Sequence, residues 1–149
     1  MFNHILFPSD HSEPTLQAFA RVVELAGKLK ARVTLFHAYE LLSMTTAGMY
    51  DLSMTATLQE LELSFAEKAR IHLGDLKDQL DAAGIENTML IERGPAGPLI
   101  VDVARTRECD LIVIGSRGLS TLSSVLLGSV SNYVVHHSPC PVLVMPVRK

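Results

Sequence analysis

Short apolar runs alternate along this chain with longer stretches in which apolar residues recur every three or four positions. Ile5-Leu6-Phe7 is a continuous apolar run closed by Pro8-Ser9-Asp10, the pattern of a buried strand that ends in a loop. Ser12 is placed to cap the helix that follows, and Pro14 is tolerated in a first helical turn. Leu16, Phe19, Ala20, Val23 and Ala26 then repeat at helical spacing and predict one apolar face. Val33-Thr34-Leu35-Phe36-His37-Ala38 predicts a second strand. Leu58, Leu61, Phe65, Ala69, Leu73, Leu76, Leu80 and Ala83 step by three or four and predict a long second helix stopped by Gly84. Thr88-Met89-Leu90-Ile91, closed by Gly94-Pro95, reads as a third strand. Leu99, Ile100, Val103 and Ala104 mark a third helix. Asp110-Leu111-Ile112-Val113-Ile114 is a fourth strand with Gly115 at its end. A fourth helix should start near Ser129 and stop before Ser138-Pro139, and Val142-Leu143-Val144-Met145 is a fifth strand. Between residues 39 and 57 the pattern lapses: Tyr39, Met44, Met49 and Tyr50 fall in a stretch that reads as a mobile loop or lid, or as the frayed start of the second helix.

Strands that alternate with helices in this way must run parallel, with right-handed crossovers and helices covering both faces of the sheet. Composition agrees: 149 residues suit one domain spanning 1–149, and 48% hydrophobic with 19% charged residues is a globular balance. The formal net charge of -3, with no basic block, argues against nucleic acid as a partner. It leaves a nucleotide ligand open, because backbone amides hold phosphate without net positive charge. Cys109 and Cys140 match no metal spacing and read as buried or half-buried thiols in a reducing compartment. The N-terminal Met1-Phe2-Asn3-His4 carries no secretory pattern, and no apolar run approaches the roughly 20 residues of a membrane span. The expectation is a cytoplasmic protein without membrane insertion.

In an open parallel sheet, ligands sit at the carboxyl ends of the strands where the winding reverses. Two strand ends carry candidate chemistry: Pro8-Ser9-Asp10, and Gly115-Ser116-Arg117-Gly118 followed after nine residues by Gly128-Ser129-Val130-Ser131. Gly115 allows a sharp turn and a close ligand approach, and Gly118 can free an amide toward a phosphate. Gly128-Ser129 precedes a helix whose first amides lack intrahelical partners and whose dipole favours an anion. The hydroxyls of Ser129 and Ser131 are potential donors. The same glycines also serve as ordinary turn residues with a serine cap, and their spacing matches neither the dinucleotide fingerprint nor the P-loop with its lysine.

Gly115, Gly118, Gly128 and Ser129, in the spacing G-x2-G-x9-G-S, resemble the nucleotide motif of the universal stress protein family. The opening Ile5-Leu6-Phe7-Pro8-Ser9-Asp10-His11-Ser12-Glu13, the strand ending Phe36-His37-Ala38 and the tail Ser138-Pro139-Cys140-Pro141-Val142-Leu143-Val144 are similar to the same family. The resemblance implies a doubly wound α/β domain with four helices and a five-stranded parallel sheet in the order 3-2-1-4-5. It implies a homodimer built largely through the last strand, Val142–Met145. It also implies ATP, or ADP or AMP, with Mg2+ or Mn2+ accompanying the phosphates. Adenine would lie near Asp10 and Ala38, ribose near Ile114 and Gly115, and phosphates on Gly118, Gly128, Ser129, Val130 and Ser131. Pro8, Ser9, Ser116 and Arg117 complete the candidate set.

Asp10 either accepts from the nucleotide or helps hold an ion beside the phosphates, or it caps the turn after the first strand; no metal ligand is otherwise assigned. Arg117 reaches a phosphate or is solvated. His37 at a strand end reads as a packed, hydrogen-bonded residue, and His136 and His137 suit the carboxyl end of a helix without forming a metal pair. Three functions compete: a stress-response regulatory module switched by adenine nucleotide, a slow ATPase or nucleotide hydrolase, and an adaptor for an unknown protein partner in which the site is vestigial. No catalytic residue is assigned, since no general base or P-loop lysine is placed by motif.

Overall fold

Parallel pairing requires each strand to return across a face of the sheet before it can pair again, and the chain meets that requirement with four helices. The computed structural model describes residues 1–41, 52–116 and 127–146, with the backbone alone at 52–55. In chain order the elements are β1 (His4–Pro8), α1 (Glu13–Leu29), β2 (Arg32–Tyr39), α2 (Leu52–Ala82), β3 (Asn87–Arg93), α3 (Ala96–Thr106), β4 (Leu111–Gly115), α4 (Ser129–His137) and β5 (Val142–Met145). The five strands form one parallel sheet in the order β3-β2-β1-β4-β5.

Alternation along the strands divides the core into two layers. Ile5, Phe7, Val33, Leu35 and Val113 face α1 and α2, where they meet Phe19, Val22, Leu73, Leu76 and Leu80. Leu6, Phe36, Ile112 and Ile114 face α3 and α4, where they meet Ile100, Val103, Ala104 and Val134. β1 and β4 are central strands covered on both sides, which is why their sequences are apolar at consecutive positions.

Two expectations are corrected, and a third, open between a loop and a helix start, is decided in part for the helix start. The buried face of α1 is Thr15, Ala18, Phe19, Val22 and Ala26, while Leu16 is 40% exposed and Ala20 faces out. The cause is the N-terminal cap: Thr15 turns its hydroxyl inward to Asp10, which fixes the rotation of the helix one position away from the apolar pattern. Tyr39 closes β2 in register with Arg93, and residues 52–57 belong to α2. Residues 42–51, the rest of the stretch read as a loop or lid, lie outside the described residues. In α2, Ala69, Leu73, Leu76 and Leu80 are buried whereas Leu61, Phe65 and Ala83 are exposed. At about 1.5 Å per residue this 31-residue helix is roughly 46 Å long. The eight residues of β2 span only about 26 Å. The first half of α2 therefore overhangs the carboxyl ends of the strands.

Local chemistry sets the element ends. Ser12 caps α1, with Pro14 in the first turn. Gly84 stops α2 at φ +69, a conformation that a Cβ disfavours. The one buried histidine of the strands, His4, is held neutral by its partners. Arg32 can only donate to Nδ1, so the ring proton sits on Nε2 and is donated to Thr34 Oγ1. Burial, followed by the Arg32 charge, holds the His4 pKa below the ordinary histidine value. α3 and α4 pack closely because Gly97 has no side chain: a Cβ there would stand 2.9 Å from Tyr133 Cδ1 and 3.0 Å from Cγ. Replacing Gly97 with Leu is expected to destabilise the fold by about 1–3 kcal/mol through overpacking, read from the denaturant midpoint at unchanged slope.

Candidate functional site

α1 and α2 cover one face of the sheet and α3 and α4 the other, so the winding reverses beside β1 and opens a crevice at the carboxyl ends of β1 and β4. A cavity of about 330 Å³ occupies that place. Pro8, Ser9 and Asp10 line it from the end of β1, Ala38 from β2, and Ile114 and Gly115 from β4. Gly128, Ser129, Val130 and Ser131 line it from the start of α4. Ten candidates from four elements thus converge. Ser116 sits beside the cavity and works through its backbone: its amide donates to the Met145 carbonyl at 2.8 Å, and its carbonyl accepts from the Gly128 amide at 2.7 Å. Arg117 and Gly118 lie outside the described residues, as does most of the loop that follows them.

Thr15, Phe36, Ala96 and Ile100 also line the cavity, and sequence reasoning missed them. Phe36 precedes Ala38 by two residues on the same face of β2, so strand alternation was the available signal. Ala96 and Ile100 are one turn apart at the start of α3, which the alternation of elements places over the same crevice.

The end suited to an anion is the start of α4. Gly128 stands at the N-cap with φ -63 and ψ 165 and offers no side-chain cap. The first intrahelical bond is Asn132 N–H to the Gly128 carbonyl, at 2.9 Å. The amides of Ser129, Val130 and Ser131 find no acceptor among the described residues, and the helix dipole adds partial positive charge at that point. Ser129 is exposed, with its hydroxyl unpartnered among the described residues. Ser131 is 2% exposed, and its hydroxyl proton is committed to the carbonyls of Ser116 and Gly128 at 3.0 and 3.1 Å. The expected hydroxyl donor at 131 is therefore a structural tie, and that residue offers the site its amide.

Of the two roles weighed for Asp10, the structure displays the cap. Oδ1 accepts from Ser12 Oγ at 2.6 Å, Thr15 Oγ1 at 2.6 Å and the Ser12 amide at 3.0 Å. Among the described residues no group of three His, Cys, Asp or Glu side chains is arranged to hold a metal ion.

Behind the strand end lie three imidazoles. His37 Nδ1–H donates to the Ser9 carbonyl at 2.7 Å, and Ser9 Oγ is 2.7 Å from His72 Nε2. His11 stacks on His72 with centroids 3.8 Å apart and meets His37 edge-on at 4.7 Å. Its backbone is left-handed, at φ +66. Burial pushes the His11 pKa down to about 4, with His72 and His37 adding to the fall and Asp10 opposing it. Burial and then His37 lower His72, opposed by Asp75 and Asp10. Sequence reasoning weighed His37 alone. His11, one residue beyond Asp10, was visible at the same strand end, but His72 lies on a distant helix and reaches it only through the fold.

Other candidate groups are structural. Burial pushes the Cys109 thiol up to about 11 and also raises Cys140, so neither is a ready thiolate. His136 and His137 donate from Nδ1 to the carbonyls of Asn132 and Tyr133 in the last turn of α4.

The sequence profile of the universal stress protein family matches residues 1–146. The chain belongs to that family. It is 28% identical over 150 residues to universal stress protein Sll1388 of Synechocystis sp., covering 97% of each chain. It is 30% identical over 155 residues to universal stress protein MJ0577 of Methanocaldococcus jannaschii, covering 97% of this chain and 95% of that protein. The solved structure of the latter superposes with a TM-score of 0.87 at 28% identity, over 100% of this chain and 99% of that one. UspA from Lactobacillus plantarum gives a TM-score of 0.84 at 27% identity, over 97% of both chains. Among the described residues no helix is long and apolar enough to cross a membrane.

A pKa of about 4 for folded His11, against 6.5 for the free side chain, means that the unfolded chain binds more protons between those values. The neutral ring's contribution to stability is complete above pH 6.5 and is lost as the pH falls from 6.5 towards 4. The melting temperature is expected to drop over that window. His11→Asn, which tolerates a left-handed backbone, is expected to flatten the slope in a calorimetric pH series.

Proposed function

We propose that the chain is a regulatory protein that holds ATP, or ADP or AMP, in the crevice between β1 and β4. One observation carries the proposal: a single cavity of about 330 Å³ has an apolar wall of Phe36, Ala38, Ile100 and Ile114 on one side and the open N-terminus of α4 on the other. The volume is that of a small-molecule site, and the two walls suit an aromatic ring and an anion respectively. Two universal stress protein structures with this fold support the ligand class. One is in complex with cAMP, with a TM-score of 0.69 at 24% identity. The other, from Arabidopsis thaliana, has AMP bound, with a TM-score of 0.67 at 17% identity.

In this reading the nucleotide-binding domain spans residues 1–149. Adenine packs near Asp10 and Ala38, ribose lies near Ile114 and Gly115, and phosphates run along Gly118 and the amides of Ser129, Val130 and Ser131. A Mg2+ or Mn2+ ion arrives on the phosphates. We read the site as one that holds a nucleotide. Among the described residues lining the cavity, Asp10 is the one ionisable side chain, and its Oδ1 already takes three hydrogen bonds. Nucleotide occupancy then acts as a signal to a protein partner in the cytoplasm.

Titration calorimetry of nucleotide-stripped protein with ATP and Mg2+ tests the reading. Saturable binding is expected, and Gly128→Val should weaken it by about tenfold or more, equivalent to at least about 1.4 kcal/mol. No binding at millimolar ATP would overturn it.

We also propose a homodimer through β5. This strand is a sheet edge with Leu143 41% exposed, an arrangement that pairing with a second copy relieves. Analytical ultracentrifugation at micromolar concentration is expected to give a dimer mass, and Leu143→Lys to shift it towards monomer. A monomeric wild-type protein would refute the dimer.

A further inference from the structure

Every polar group of Ser9 is engaged, and two of the three partners are imidazoles. Its amide donates to the Phe36 carbonyl at 2.8 Å. Its carbonyl accepts from His37, and its hydroxyl meets His72. Ser9 is 4% exposed and lines the cavity. The cluster therefore holds one wall of the proposed ligand site without itself being part of the lining.

The packing of the cluster depends on charge. Its rings come from three elements: the loop after β1, β2 and α2. Asp10 from the loop and Asp75 from the next turn of α2 are the acidic groups acting on it. They oppose, without cancelling, the burial that disfavours charge on His11 and His72. A second proton would place like charges on the stacked rings of His11 and His72, whose centroids are 3.8 Å apart. His11 cannot swing away freely, because its neighbour Asp10 is tied to Ser12 and Thr15 at the start of α1. Relief must come from separation of α2 from the strand end. Stacked rings also direct their nitrogen lone pairs along nearly parallel planes, not at one point, so the arrangement suits protons and not a shared metal ion.

We propose that His11, His37 and His72 form a proton-operated latch on the crevice. When neutral, the cluster clamps Ser9 and the end of β1 in the ligand-ready position. When it is doubly protonated, His11 and His72 part, the clamp on Ser9 opens, and ligand affinity falls. The ligand arm of this proposal rests on the nucleotide reading above; the movement of Ser9 does not.

Two measurements keep those apart. In ligand-free protein, the amide signals of Ser9 and Asp10 in 1H–15N spectra should titrate together with the ring signals of His11 and His72, at a midpoint below the ordinary histidine value. His11→Asn and, separately, His72→Gln, which keeps a hydrogen-bonding group for Ser9 Oγ, should remove that response. Rings that titrate independently near the ordinary value, or Ser9 signals indifferent to them, would overturn the latch whatever the ligand. With ATP and Mg2+, affinity of the wild type should fall about fivefold or more between about pH 7.5 and about pH 4, the range that reaches the folded His11 value. Both variants should show only the smaller change that comes from the phosphates' own titration. The same pH dependence in wild type and variants would also overturn the latch. Absence of ATP binding at every pH would remove the nucleotide reading and leave the ligand-free titration to decide the latch.

Discussion

A sheet whose strands are all parallel cannot close a connection with a tight turn, so each link crosses a face as a helix. The handedness of that crossing is fixed, and the chain must reverse its winding to cover both faces. Here the reversal falls between β1 and β4, the two central strands. Helices on opposite faces diverge there, and the space between them is the crevice. Its position is thus a consequence of topology. Its chemistry then depends on what stands at three strand ends and three helix starts, which is why a cavity lined from β1, β2, β4, α1, α3 and α4 draws on short, widely spaced pieces of sequence.

Asp10 ties this frame together. Its Oδ1 gathers the Ser12 amide and the hydroxyls of Ser12 and Thr15, joining the end of β1 to the start of α1. The same bonds turn Thr15 inward, set the rotation of α1 and anchor the residue that precedes His11. An ionised carboxylate accepts charge-assisted hydrogen bonds, which are stronger than neutral ones. Cap, helix face and histidine cluster are therefore coupled, and a change at any one is felt at the others.

This coupling marks the limit of what the sequence discloses. Strand runs such as Ile5-Leu6-Phe7 and Val142–Met145 are legible because burial writes directly into apolar composition. Gly84 is legible because a left-handed stop favours one residue type. The glycines at 115 and 128 mark strand and helix ends, and the crevice forms there. The face of α1 was misread because Thr15, a polar residue, points into the core for the sake of a hydrogen bond that periodicity does not weigh. Phe36 and Ile100 read as core residues, and they are, but they also line the crevice, a distinction that depends on where a cavity falls. His72 joins His11 across a separation that only tertiary packing removes, and one stripe position on α2 says nothing of a partner on another element.

The two ends of the crevice answer to different variables. At α4 the attraction comes from backbone amides and a helix dipole, neither of which titrates, so that end discriminates by the charge of its ligand and hardly by pH. At β1 the wall is held through Ser9 by an imidazole cluster, and the proposed latch would respond there to protons on His11 and His72. On the proposed readings, a ligand spanning both ends would have its anionic group held at α4, while the position of its ring would depend on the protonation of the cluster. Affinity is then the sum of a constant term and a pH-dependent one. On the proposed readings, a module so built would register nucleotide and proton together, because both inputs would act on the position of the same strand end.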